Sequence, residues 1–276
     1  MRFIVNHDLH IHSMLSECSN DPAQNPETIL AYAEKNNFTD ICLTDHFWDS
    51  NVPGASDWYK PQNYEHISQA LPLPQSDKVR FHFGCEVEMD KYCTVSISDK
   101  LCDKMDFIIV PVNHFHMYDF TIDKKDDSPE RRADAFVTHI RSLLEKDLPF
   151  HKVGIAHLCA SSLAGMVPGK SLDHLPILDM IDDRTFRELF EIAAKKGVGI
   201  ELNVSDAVFT EHTQEDRDRR FRMFKIAKQC GCKFYLGSDA HFPQDFEKSI
   251  LRFEGAVDAL DLKETDKFDF GSIRRV

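Results

Sequence analysis

The stretch Asp8-Leu9-His10-Ile11-His12-Ser13 follows the apolar residues Phe3, Ile4 and Val5. Side chains alternate along a strand with a period of two, so His10 and His12 are expected on one face, and Asp8 shares their parity. Two imidazoles on one strand face grip a metal ion from a rigid base. His-x-His also arises by chance, as a pair of surface or turn histidines, so the motif needs company. Similar punctuation recurs along the chain.

Six further apolar runs end the same way. Asp40–Thr44 leads to Asp45 and His46. Val79–Val87 carries Gly84-Cys85-Glu86, with Glu88 in phase with Glu86. Asp106–Val112 leads to Asn113-His114-Phe115-His116, and Lys152–Ala156 to His157. Gly197–Leu202 contains Glu201 and precedes Asn203. Lys233–Leu236 opens Gly237-Ser238-Asp239-Ala240-His241. Amphipathic segments fall between these runs: Pro26 to Glu34 with Asn25 as cap, Ser128 to about Leu144, Asp182–Lys195 and Gln214–Gln229. Gly197 and Gly231 stand where left-handed helix caps are expected. Strands separated by helices predict an α/β fold with a parallel sheet and right-handed crossovers. Candidate ligands end nearly every strand, and a closed barrel brings all those ends to one mouth. The first strand lacks a glycine-rich phosphate fingerprint, which argues against a dinucleotide fold. Asp49–Gln75 and Lys91–Met105 read as irregular loops at the mouth. No linker or repeat divides the chain, so residues 1–276 are expected to form one barrel domain, with the charged tail from about 261 to 276 packed outside it.

The formal charge is −13, from 33 Lys and Arg against 46 Asp and Glu. Such a surface repels phosphate backbones, so long nucleic acid is not an expected partner. The apolar run at Phe107–Val112 is too short to span a bilayer, and the first residues do not read as a signal peptide. Eight cysteines in a chain without an export signal read as reduced thiols, which predicts the cytoplasm. Cys42, Cys85 and Cys159 lie in apolar runs and read as core. The 14 histidines suit metal binding, and imidazoles mixed with carboxylates suit Zn, Mn or Fe.

Taken in order, Asp-x-His-x-His-Ser (Asp8–Ser13), Thr-Asp-His (Thr44–His46), Gly-x-Glu (Gly84–Glu86), a histidine after an apolar run, and Gly-Ser-Asp-Ala-His (Gly237–His241) make the chain similar to the polymerase and histidinol phosphatase (PHP) family. The resemblance implies a distorted (β/α)7 TIM-like barrel, up to three metal ions at its mouth, and metal-dependent phosphoester hydrolysis by a hydroxide bridging the ions. Carried over, His10, His12, Glu86 and Asp239 would hold a first ion. Glu86 would bridge to a second, completed by His114 and His157, and His46 and His241 would hold a third. Glu86, Asp239 and His241 would be the catalytic residues. Two positions depart from the family pattern. Cys18 stands where a histidine or aspartate is usual at the third site, leaving Cys18 or its neighbour Glu17 as ligand. Asn113 stands where a histidine is usual, and of His114 and His116, which share a face, His114 is favoured.

Other residues carry weaker readings. Glu88 reads as a rim carboxylate or a ligand, Asp45 as an orienter of a ligating histidine or a structural cap, and Glu201 and Asn203 as pocket lining or strand closure. Arg131 and Arg132 open a helix and read as a solvated face or as phosphate binders from a mouth loop, with Lys170 and Arg184 weaker candidates. Trp48 and Trp58 read as core or loop packing. The implied activity is a phosphomonoesterase acting on a small phosphorylated substrate, L-histidinol phosphate foremost. Nucleotides, oligonucleotide ends or another small phosphoester form a second reading, and a non-catalytic metal-binding protein a third.

Overall fold

A computed structural model describes residues 1–165, 174–203 and 213–270. Its strands are β1 (His7–Ile11), β2 (Asp40–Leu43), β3 (Arg80–Phe83), β4 (Cys85–Glu86), β5 (Ile108–Val110), β6 (Val153–Ile155), β7 (Gly199–Asn203) and β8 (Lys233–Gly237). They pair in parallel, in the orders β1-β2-β3 and β4-β5-β6-β7-β8. Two joints fuse these sheets into a barrel. At the first, β3 and β4 are one run interrupted at Gly84: the Gly84 N–H donates to Leu43 O (2.8 Å) and the Cys85 N–H to Phe107 O (3.1 Å). The expected run Val79–Val87 therefore serves both neighbours and counts as a single stave of seven. At the second, Ile11 bridges Ala240 in parallel, with Asp239 N–H donating to His10 O (2.8 Å) and His12 N–H to Ala240 O (3.0 Å).

The helices start where their caps predict. The Asn25 side chain accepts from Thr28 N–H ahead of Pro26–Lys35, Ser128 from Arg131 N–H ahead of Pro129–Glu145, and Asp182 from Thr185 N–H ahead of Asp183–Lys196. Thr213 caps Gln214–Gln229. Gly197 ends its helix in the left-handed region, at φ 75°.

The first strand is displaced from its expected place, beginning at His7 and not at Arg2. Arg2 makes a lone antiparallel bridge to Lys263, and Phe3 N–H donates to Leu262 O (3.0 Å). Within β1 the register advances from Asp8↔Ile41 to Ile11↔Leu43, so one extra residue is inserted between them. This bulge breaks the alternation. Asp8 leaves the face of His10 and His12 and accepts from Ser238 N–H (2.9 Å) and the Tyr32 hydroxyl (3.2 Å). Leu9 turns inward instead.

Inward-facing Leu9, Cys42, Phe107, Ile109, Ala156 and Tyr235 fill the barrel and form one cluster with Phe268 and Phe270. Their alternates, among them Ile41, Leu43, Val110, Ile155, Ile200 and Leu236, join the larger core under the helices. The expectation that the tail stays outside is thus corrected for its described part. Phe268 N–H donates to Phe234 O (2.8 Å), and Phe268 and Phe270 enter the floor of the barrel, where they are 4% and 7% exposed. Burying two phenyl rings favours this docking, and the neighbouring Lys267 finds partners in Ile4 O (2.9 Å) and Asn6 Oδ1 (3.1 Å). Tyr235 crosses the interior: a Cβ on Gly154 would lie 2.5 Å from its ring, and one on Gly199 3.0 Å.

Candidate metal centre

The strand ends converge as the barrel requires, and Glu86 lies at the focus. Its Oε2 is 2.8 Å from His46 Nδ1, 3.4 Å from His12 Nε2 and 3.7 Å from His10 Nε2. Its Oε1 is 3.0 Å from His157 Nε2 and 4.0 Å from His114 Nε2. Asp239 Oδ1 lies 3.1 Å from His12 Nε2, 3.4 Å from His10 Nε2 and 3.6 Å from His241 Nδ1. Asp239 reaches this position with a left-handed backbone, φ 54°, a conformation that aspartate tolerates better than most residues. Three sets bring their donor atoms within 4.8 Å of one another: His10, His12 and Glu86; Glu86, His114 and His157; His12, His46 and His241.

Four imidazoles are fixed from behind. His10 Nδ1 donates to Glu201 Oε1 (2.6 Å), His114 Nδ1 to Glu88 Oε2 (2.7 Å), and His157 Nδ1 to Asn113 Oδ1 (3.1 Å). His12 Nδ1 donates to Ser16 Oγ (2.9 Å), which donates on to Asp45 (2.7 Å). Each bond leaves Nε2 pointing at the centre with its lone pair available, the arrangement that orients a metal-ligating histidine. Sequence reading left Glu201 and Glu88 undecided and missed Ser16 and Asn113 in this role. Ser16 stands four residues after His12, and Glu88 is in phase with Glu86, so both signals were present. Asp45 reaches His12 through Ser16 and also accepts from the Ser13 N–H and hydroxyl, so it both backs an imidazole and fixes the turn after β1.

The electrostatics suit cations. Burial pushes the Glu86 carboxyl up, but His46, His10 and His157 carry it well below the usual carboxylate range. Burial depresses His10, yet Glu201, Asp239 and Glu86 raise it well above an ordinary imidazole. Burial likewise opposes Glu86, Asp239 and Glu201 at His157, and Cys18 and Asp239 at His241, and both imidazoles are raised to about 9. Protons here stand in for positive charge that the carboxylates demand, and a metal would displace them. His46 Nδ1 and Glu86 Oε2 are buried and close, but too poorly aligned for a hydrogen bond, and neither has a partner. Buried atoms left so are costly, and the cost disappears if both face an ion. The donor set therefore fits divalent metals.

Above the cluster opens a cavity of about 720 Å³, lined on one side by Cys18, His46, Glu86, His114, His157, Asp239 and His241 and on the other by Trp58, Tyr59, His116, Met117 and Phe120. Trp58 is thus a cavity wall and not loop packing, while Trp48 is buried behind it against Tyr59. The loop 49–75 supplies Trp58 and Tyr59 to this wall, and the segment after β5 supplies the rest. The loop 91–105 braces it from beneath: Ser96 Oγ donates to Phe47 O (2.9 Å), and Ser98 N–H donates to Asp49 (3.1 Å).

Arg131 and Arg132 do not reach the cavity. Arg132 is buried, pairs with Asp127 and donates to Phe115 O (3.1 Å) and Leu163 O (2.8 Å), so its guanidinium is spent on tying loops to its helix. Arg131 is exposed on a separate surface groove beside Lys91 and Asp123. Arg184 pairs with Glu188 on an exposed helix face. Lys170 lies outside the described residues. Among those described, no lysine or arginine lines the cavity. Glu17 is exposed and is not a wall residue, whereas Cys18 is.

A family model described as the PHP domain matches residues 8–205. The chain belongs to the PHP family. That membership makes this PHP chain a metal-dependent hydrolase of the phosphatase class. Its fold is shared with histidinol phosphate phosphatase from Lactococcus lactis, solved with zinc, L-histidinol and phosphate, at 17% identity and a TM-score of 0.62 over 93% of this chain and 92% of that one. A putative histidinol phosphatase from Listeria monocytogenes superposes with a TM-score of 0.60 at 13% identity, over 90% of this chain and 100% of that one. No curated protein matches by sequence.

Proposed function

We propose that the chain is a phosphomonoesterase for a small phosphorylated metabolite, L-histidinol phosphate first, using two to three divalent ions of Zn, Mn or Fe. The observation that carries this reading is Glu86, one carboxylate within reach of five imidazoles at the floor of an open cavity. Divalent ions held there would bring the pKa of water toward neutrality and offset charge on phosphoryl oxygens. The chain's own groups do the rest. His10, His12 and Asp239 form one side of the cradle and His114 and His157 the other, with Glu86 between. Glu86, Asp239 and His241 border the cavity and are assigned to catalysis. Among the described residues no lysine or arginine lines the cavity, and ions held in the cradle would offset the charge of a phosphate. Trp58, Tyr59 and Phe120 offer aromatic faces and edges to a leaving alcohol that carries a ring, such as the imidazole-bearing histidinol. The Lactococcus structure, which holds zinc, histidinol and phosphate, supports the same choice. We place the protein in the cytoplasm on its eight free thiols; no described helix is long and apolar enough to cross a membrane.

The test is phosphate release from L-histidinol phosphate by zinc- or manganese-loaded protein, beside nucleoside monophosphates and other small phosphoesters. Glu86→Ala should lose more bound metal than any other single substitution, and turnover with it. Release from other esters alone would replace the substrate. No release from any ester by protein that retains its ions would favour a metal-binding protein without catalysis.

A further inference from the structure

We propose that His116 and Ser162 form a polar subsite for the leaving alcohol, and that it selects a nitrogen heterocycle presenting an N–H donor beside a nitrogen acceptor. The inference rests on the phosphatase reading and narrows its substrate. Both residues line the cavity, and Ser162 is only 5% exposed. Among the described residues, His116 Nδ1 and Ser162 Oγ are buried and have no hydrogen-bond partner. A buried polar atom left so carries a cost that a bound partner would remove. Neither residue belongs to the three sets that could hold an ion, so the metal centre does not account for them.

A residue outside the cavity holds the two together. Arg132 Nη1 donates to Phe115 O (3.1 Å), in the peptide that leads into His116, and to Leu163 O (2.8 Å), one residue beyond Ser162. One guanidinium nitrogen thus draws the segment after β5 against the 3-10 helix Ser161–Ala164. The guanidinium is itself anchored by Asp127 and the Tyr118 hydroxyl (3.1 Å). His116 stands edge-on to His114, 5.4 Å between ring centres, so the subsite adjoins the cradle. The chemistry of the pair sets what it takes. A neutral imidazole carries one donor and one acceptor nitrogen, and a seryl hydroxyl both donates and accepts. Rotation about their side-chain bonds is what would turn each idle atom toward a guest. Together they match the N–H and the bare nitrogen of one planar ring, while Met117 and Phe120 line the same cavity and pack against its apolar parts. An imidazole meets this description; a phenyl ring has nothing to offer either group.

Paired esters test this. Zinc-loaded wild type should hydrolyse L-histidinol phosphate with a kcat/KM about 10–100-fold above that for L-phenylalaninol phosphate, which keeps the chain and the amine and replaces imidazole by phenyl. His116→Leu and Ser162→Ala should each shrink that ratio at least about 5-fold, through KM for the histidinol ester rather than kcat. His116→Gln, which keeps a donor and an acceptor, should retain more of the ratio than His116→Leu. General damage to the fold would lower both esters together and leave the ratio where it was. Calorimetry of zinc-loaded protein with free L-histidinol and free L-phenylalaninol makes the same comparison without turnover. A wild type that binds the two alcohols alike, or a preference that neither variant reduces, would overturn the proposal. A preference for histidinol that both variants weaken, in protein that hydrolyses no phosphoester, would leave the subsite standing while the phosphatase fell.

Discussion

A methyl group on Gly237, a residue that supplies no donor atom, should weaken metal binding. A Cβ there would lie 2.0 Å from Glu201 Oε1, 2.9 Å from Glu201 Cδ and 2.7 Å from His10 Cβ. All three are far inside contact distance, and Glu201 and His10 are fully buried. The carboxylate must move, and it holds two things: His10 Nδ1 through Oε1 (2.6 Å) and the His157 N–H through Oε2 (2.6 Å). One displacement thus releases the His10 imidazole and loosens the backbone that carries His157. Losing the group that orients a ligating histidine typically costs 10–100-fold in affinity, or about 1.4–2.7 kcal/mol. Gly237→Ala should therefore bind zinc about 10–100-fold more weakly in competition against a chelator of known affinity. Thermal unfolding of the metal-free variant separates this from general damage. A partly broken buried pair should also lower metal-free stability by up to about 3 kcal/mol. Wild-type zinc affinity together with a wild-type melting curve would refute the reasoning, because it would mean that Glu201 does not position His10.

Two further outcomes concern stability. Phe268→Ala should cost about 3–5 kcal/mol in urea unfolding, since it empties the floor of the barrel beneath Phe107 and Tyr235; a loss below about 1 kcal/mol would show that the tail only rests against the barrel. Burial depresses His139 from its ordinary 6.5 to about 4. It is neutral in both folded and unfolded chains above pH 6.5, so its stabilising effect is complete there. As pH falls from 6.5 toward 4 the unfolded chain takes the proton first, and stability drops by a total of about 3 kcal/mol. His139→Met should flatten this part of the acid limb in metal-free protein, and parallel wild-type and variant curves of stability against pH would contradict it.

The strand ends were legible because a polar ligand at the close of an apolar run is conspicuous, and the barrel followed from where those ends must meet. What escaped was set by distant partners. The bulge after Asp8 leaves no mark in a stretch that alternates well, so Asp8 was expected beside the histidines it turns away from. Arg132 opens a helix beside Arg131 and reads as solvated; only the loops that fold over it, at Phe115 and Leu163, show that it is buried. Phe268 and Phe270 sit among charges that disguise them as an exposed tail. Glu201 holds a ligand 191 positions away in the chain, a separation that no local pattern reports.

The ring of Tyr235 has a consequence for how this barrel tolerates change. It occupies the room that side chains at Gly154 and Gly199 would need, so neither glycine is free to mutate while the tyrosine stays. Shrinking the tyrosine alone would leave a void between Phe107 and Phe268. The three sites form a linked trio contributed by three adjacent staves, and sequence drift there must move them in concert or leave them all untouched.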